Sequence, residues 1–181
     1  DAAWQEEATA YQDAGKELGI DIALERSRSG NGAHAWIFFE DPVPAQLARS
    51  LGTLILSQAQ DKLGTMKLAS FDRFFPNQDT LPRGGFGNLI ALPLERTSRE
   101  KGNCVFVNAA MEPYPDQWAY LASLGKVSTD LLHTILDRHL VKQTCELAID
   151  EATRDEILFT ATDSRLDTII EADIKVSINS Q

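Results

Sequence analysis

Residues 25–40 read Glu25-Arg26-Ser27-Arg28-Ser29-Gly30-Asn31-Gly32-Ala33-His34-Ala35-Trp36-Ile37-Phe38-Phe39-Glu40. The stretch changes character at its midpoint. Arg26 to Gly32 is polar and carries arginines, serines and glycines in alternation. His34 to Glu40 is almost continuously apolar, as a strand buried on both faces should be. The pattern predicts a glycine-containing loop running into a central strand, with Trp36 in the core. Asp21 to Glu25 is short and apolar enough to be the strand before the loop. Chemically, glycines let main-chain amides approach a phosphate closely. Ser29 offers a hydroxyl donor, and Arg26 and Arg28 bring charge for phosphate oxygens. His34 opens the strand, where its ring can point into a cleft. One reading is a phosphate site; the other is a glycine-rich hairpin with a satisfied histidine.

Working outward, Trp4 to Leu18 has helical periodicity and stops at Gly19. Pro44 to about Gln60 predicts a second helix, with proline in its first turn. Phe71 to Phe75 reads as a strand. Asn88 to Leu94 and Asn103 to Asn108 read as two more, joined into a hairpin by the charged turn 95–102. Asp116 to Leu124 and Ser128 to Val141 are helical, each opened by an N-cap residue. Thr168 to Asn179 alternates enough to be a strand. This mixed order gives an α+β class. No internal repeat interrupts it.

With 181 residues, 43% hydrophobic and 24% charged, the chain has the composition of one ordinary globular domain, or of one domain with an appendage. Its longest apolar runs, such as Leu54-Ile55-Leu56, are far shorter than the ~20 residues that cross a bilayer. Cys104 and Cys145 lie far apart, which fits a reducing cytoplasm. His133, His139 and Cys145 recur at a spacing of six, which turns ~240° on a helix and spreads them over different faces. The net charge of −10 argues against a broad phosphate-coating surface. Residues 22–101 nevertheless hold ten Lys and Arg against eight Asp and Glu, so the acidity sits in the flanks. A positive centre in an acidic chain suits an anionic ligand at a defined site; solvated acidic helices at both ends explain the charge equally well.

The second informative segment is Phe71 to Leu94. Asp72 is an acid among aromatic residues at a strand, a reasonable ligand for a hard cation, or else a salt-bridge partner of Arg73. Asp79 is its rival. Arg83, followed by Gly84, Gly85 and Gly87, suits approach to a phosphate or a nucleic-acid backbone, and suits an ordinary surface loop as well. Trp118 and Tyr120, beside Asp116 and Gln117, read as core and cap residues rather than base-stacking platforms.

Ser-Gly-x-Gly-x-His before an apolar strand resembles the second motif of archaeo-eukaryotic primases. SRSGNGAHAWIFFE, FDRFFPNQDTLPRGGFGNLIALPLE, GNCVFVN and PYPDQWAYL together are similar to the primase domain of TOTE conflict systems, over roughly residues 1–125. The resemblance implies an RRM-like primase-polymerase core over 1–125, with 126–181 an accessory helical segment leading to a following domain. It implies nucleotidyl transfer from nucleoside triphosphates on a single-stranded or primed template, with Mg²⁺ or Mn²⁺ as cofactor. It also implies a helicase domain in the same polypeptide. Ser29 and His34 would hold the triphosphate, aided by Arg26, Arg28 and Arg83. Asp72 would be a metal ligand approaching from a neighbouring strand. The alternative is a non-catalytic nucleotide- or nucleic-acid-binding module of a defence or mobile-element protein.

One departure from the family matters. Its first motif, Asp-x-Asp on an apolar strand, is missing from this sequence. Trp4 resembles the tryptophan that follows that motif, so the pair is expected immediately before Asp1. Without it, this fragment is expected to be inactive, and the strand of His34 is expected to have an unpaired edge.

Overall fold

The structure, a computed structural model, describes residues 3–64, 70–80, 83–84, 87, 89–153 and 174–179, with side chains described as far as residue 143. Helix α1 (Ala3–Glu17) buries Trp4, Ala8, Tyr11 and Ala14 along one stripe at helical spacing. The chain then returns as β1 (Ala23–Arg26) and, after a tight turn, β2 (Gly32–Ile37). Pro44 stands at the N-cap of α2 (Ala45–Leu63), where a missing N–H costs nothing. Strand β3 (Phe71–Phe75) follows, then the one-turn α3 (Arg96–Arg99), β4 (Phe106–Val107), α4 (Gln117–Ser123), α5 (Thr129–Thr153) and β5 (Ile174–Asn179). The class is α+β.

The five strands form one sheet in the order β3-β5-β2-β1-β4, with every neighbouring pair antiparallel. Its two faces are covered differently. Leu24, Ala33, Ala35 and Ile37 project to one side and pack with α1, α2 and the start of α5 in the main core. Here Gly52 of α2 lets the Phe74 ring come close: a Cβ at Gly52 would lie 2.7 Å from the ring. On the other side, Ala23, Trp36 and Phe106 form a smaller cluster under α4 and the 90–94 segment. Trp36 is therefore in the core, as its place in an apolar strand predicts.

Two expectations are overturned. Residues 89–94 are not a strand, and Asn88 lies outside the described residues. Pro93 has no N–H to give a ladder, and Leu94 turns the backbone to φ +63°. One bond, Leu94 N to Cys104 O at 2.7 Å, is what the expected hairpin retains. Glu95 instead caps α3, accepting from the main-chain N–H of Thr97 and Ser98, and β4 pairs with β1.

The second correction concerns β2, whose two edges are both paired. On one side β1 aligns Glu25 with His34. On the other, β5 aligns Ser177 with His34 over a six-residue ladder. A strand from the far end of the sequence satisfies the N–H and C=O groups that the expected gap would have exposed. Residues 126–181 thus contribute α5, whose Leu132 and Ile135 enter the main core, and a strand inside the sheet.

Candidate functional site

Antiparallel pairing of β1 and β2 brings Glu25 directly opposite His34, on the face away from α1 and α2. His34 Nδ1 donates to Glu25 Oε2 at 3.1 Å, and Trp36 Nε1 donates to the same oxygen at 2.7 Å. Glu25 is 1% exposed. Burying a carboxylate is costly unless hydrogen bonds compensate, and here two N–H donors from the next strand do so. The imidazole is itself partly open, with 13% of its side chain exposed.

The turn before β2 is closed by Ser27 N to Gly32 O at 2.8 Å and Gly30 N to Ser27 O at 3.0 Å. Gly30 takes φ +80°, and an added Cβ would lie 3.0 Å from the Asn103 side chain. A residue other than glycine would be strained there twice over. Ser29 is exposed at the tip. Its hydroxyl lies 3.2 Å from that of Ser27 and accepts from Asn31 N at 3.3 Å. Arg28 is exposed too, and its carbonyl accepts from Asn103 Nδ2 at 3.1 Å.

Arg26 is differently employed. Alternation along β1 turns it away from His34, and its guanidinium donates to the carbonyls of Gly102 and Met111. It ties β1 to the segment that carries β4. Arg83 is exposed, in a turn beyond β3.

Asp72 lies at an irregularity of β3, where pairing with β5 shifts register between Phe71 and Arg73. Phe71 and Phe74 pack into the helix-side core. Asp72 stands beside Arg73, which clasps it with Nε to Oδ2 at 3.1 Å and Nη2 to Oδ1 at 3.2 Å. Arg73, Ser177, His34, Glu25 and Phe106 form one row across all five strands. β3 is thus next but one to β2 rather than its neighbour, two strand spacings or roughly 10 Å away. Asp79, the rival acid, pairs with Arg49 of α2, whose guanidinium also donates to the carbonyls of Pro76 and Gln78.

Among the described residues there is no group of three His, Cys, Asp or Glu side chains able to hold a metal ion. Asp72 alone does not make a divalent-ion site.

Around the row lies a rim of aromatic residues. Trp36 and Phe38 stack at 6.3 Å, and Tyr114 and Tyr120 at 3.8 Å. Burial and the neighbouring Tyr114 push the Tyr120 hydroxyl above its ordinary range. Trp118 is 67% exposed, which corrects the expectation of a core residue. Its helix turns Leu121 inward and leaves the indole outside. Asp116 does cap α4, and Gln117 holds β4 through Phe106 N at 2.6 Å and Phe106 O at 2.9 Å. Cys104 is buried, and burial pushes its thiol up, away from the reactive thiolate.

Sequence reasoning missed Glu25. The signal was present: closing the hairpin at Ser27 and Gly32 pairs residues whose numbers sum to a constant, which sets Glu25 opposite His34.

No helix of the described residues is long and apolar enough to cross a membrane. No curated protein matches the chain. The family model described as "TOTE conflict system, Archaeo-Eukaryotic Primase domain" matches residues 1–135, three quarters of the sequence and the whole of the row's β1 and β2 strands. The chain belongs to the archaeo-eukaryotic primase family of TOTE conflict systems.

Proposed function

We propose that the His34 end of the sheet, on the face away from α1 and α2, binds the triphosphate of a nucleoside triphosphate, as the substrate site of a primase-polymerase that also engages a nucleic-acid template. His34 meets the phosphates through Nε2. Ser29 and Arg28 approach from the β1–β2 turn, and Arg83 adds charge. Arg26 serves the site at one remove, by fixing β1. Asp72 is one carboxylate of a larger set that would hold Mg²⁺ or Mn²⁺. The parent reaction is template-directed phosphodiester formation, in a cytoplasmic protein that also carries a helicase domain. The observation that supports this reading is the pair of β1 and β2, with Glu25 on Nδ1 of a partly exposed His34, within a domain of the primase family.

The test separates the two imidazole nitrogens. In His34→Asn the amide nitrogen sits as many bonds from Cα as Nδ1 does, so it still reaches Glu25, while nothing replaces Nε2. ATP binding should weaken roughly 10- to 100-fold, the worth of one hydrogen bond to a charged group, with Tm almost unchanged. Unchanged ATP affinity would return His34 to a purely structural role.

A second reading, a binding module without catalysis, is favoured by the clasp of Arg73 on Asp72. It predicts ATP binding that is indifferent to Mn²⁺. Binding that tightens with Mn²⁺ and loses that gain in Asp72→Asn would reject it.

A further inference from the structure

We infer that the corner of the molecule where the β1–β2 turn meets α3 holds the sugar–phosphate backbone of a nucleic-acid strand, through Arg28, Arg99 and Lys101. The inference rests on the reading above that a template is engaged, and it names the side chains that make the contact.

The argument starts from the distribution of charge. Residues 26–32 and 95–103 together carry five of the chain's seventeen lysines and arginines but only two of its twenty-seven acids. The rest of the chain therefore holds twelve cations against twenty-five acids, and this corner is positive within a strongly acidic molecule. The fold fastens the two segments together. Arg26 Nη1 donates to Gly102 O at 3.0 Å, Cys104 N donates to Arg26 O at 2.9 Å, and Asn103 Nδ2 donates to Arg28 O at 3.1 Å. Gly30 leaves room for that amide, since a Cβ there would lie 3.0 Å from Asn103 Oδ1. Gly102 N in turn donates to Arg99 O at 2.9 Å, which sets α3 on the same junction.

Crowding like charges costs the fold free energy through self-repulsion, and little at this corner offsets it. Arg96 pairs with Glu100 at 3.3 Å. Glu95 turns its carboxylate onto the N–H groups of Thr97 and Ser98, and Arg26 is turned onto main-chain carbonyls. Arg28, Arg99 and Lys101 are exposed, and among the described residues they enter no ion pair. Three long side chains on two segments do not make the convergent pocket that grips a compact anion. They suit a polyanion that offers one phosphate after another, which is how a nucleic-acid backbone is held without its sequence being read. The turn leads directly into β2, whose first residue, Gly32, lies two positions before His34, roughly 7 Å along the strand. A strand lying on the corner therefore runs up to the proposed nucleotide site.

The experiment measures binding of a labelled oligothymidylate to the full chain by fluorescence anisotropy over a range of salt concentrations, beside a titration with ATP. The double variant Arg99→Gln with Lys101→Gln should lower the slope of log affinity against log salt by about 1.4, at ~0.7 for each phosphate contact on a single strand. ATP affinity and Tm should stay unchanged. A slope equal to that of the wild type overturns the inference and leaves the template reading standing. Failure of the wild-type chain to bind the oligothymidylate at low salt overturns both. Lys16→Gln with Arg138→Gln removes the same charge from the helix side, on α1 and α5. An equal fall of slope there would mean that overall charge attracts the strand, and the corner would lose its assignment. If the corner variant instead weakens ATP binding and spares the oligothymidylate, these side chains serve the triphosphate and the inference is wrong.

Discussion

The two faces of the sheet are both well covered around β1 and β2, yet they are held by different physics. On the helix side Leu24, Ala33, Ala35 and Ile37 meet α1, α2 and α5 through apolar contact alone. On the other side Glu25, His34 and Trp36 are held by two hydrogen bonds onto one oxygen. Apolar contact is additive and tolerant of small shifts, whereas a buried carboxylate is satisfied or not. The first face therefore supplies stability, and the second supplies a fixed orientation at small net gain. A site that must aim a nitrogen belongs on the second.

The contrast can be broken from the helix side first. Leu51→Ala empties a fully buried position of α2 and should cost about 2–5 kcal/mol, read as a large fall in the denaturation midpoint, with the His34 ring signals unmoved. Movement of those signals in that variant would show the two faces to be one cooperative unit. On the other face, Trp36→Phe removes one donor from Glu25 while keeping an aromatic ring in place. Leaving a buried acceptor short should cost about 1–3 kcal/mol. A cost near zero would mean that water replaces the indole.

A smaller effect is expected at α4, the cover of that second face. Asp116 accepts from Trp118 N at 3.0 Å and Ala119 N at 2.9 Å. Asp116→Ala should lose about 1 kcal/mol through the cap, and faster amide exchange should be confined to α4. Exchange spreading into β1 would show that α4 is needed to keep Glu25 dry. The smallest effect concerns Glu95 at α3. Its carboxylate takes hydrogen bonds first from the Thr97 N–H, then from the Ser98 and Thr97 hydroxyls and the Ser98 N–H, and these hold its pKa down to about 2 against an ordinary 4.5. A group lowered on folding stabilises fully above its unfolded pKa and loses that contribution as pH falls through the folded one. The wild type should therefore lose the cap between about pH 4.5 and 2. Glu95→Gln should show a flatter stability profile over that window. Parallel profiles would mean that the cap does not form in solution.

The same contrast explains what could be read from the sequence. The helix-side face writes its signature locally: Trp4, Ala8, Tyr11 and Ala14 recur at helical spacing, and Leu51, Leu54 and Ile55 do so in α2. Helices and strands were legible there to within a few residues. His34 and the turn before it were legible because glycine, serine and histidine announce themselves by type. Glu25 was not, since a lone acid at the end of a strand gains meaning only once a register is chosen. The segment 88–94 misled because its apolar residues outvoted Pro93, whose missing N–H decided the matter. Trp118 misled because a helix of seven residues has too few turns to show which side faces in. The seat of β5 is set by long-range pairing, which no local pattern carries.

That seat has a consequence for how the molecule is made. β5 separates β2 from β3 in space while following both by most of the chain in sequence. During synthesis from the N-terminus, β1 and β2 can close as a local hairpin within a few residues. β3 must wait with one side unfilled, presenting Phe71, Phe74 and Phe75 along a bare strand. Pairing across so long a separation is entropically slow, and a waiting aromatic strand is the sort of edge on which other chains condense. The hairpin that carries His34 can form early; the sheet around it is completed only when residues 174–179 arrive.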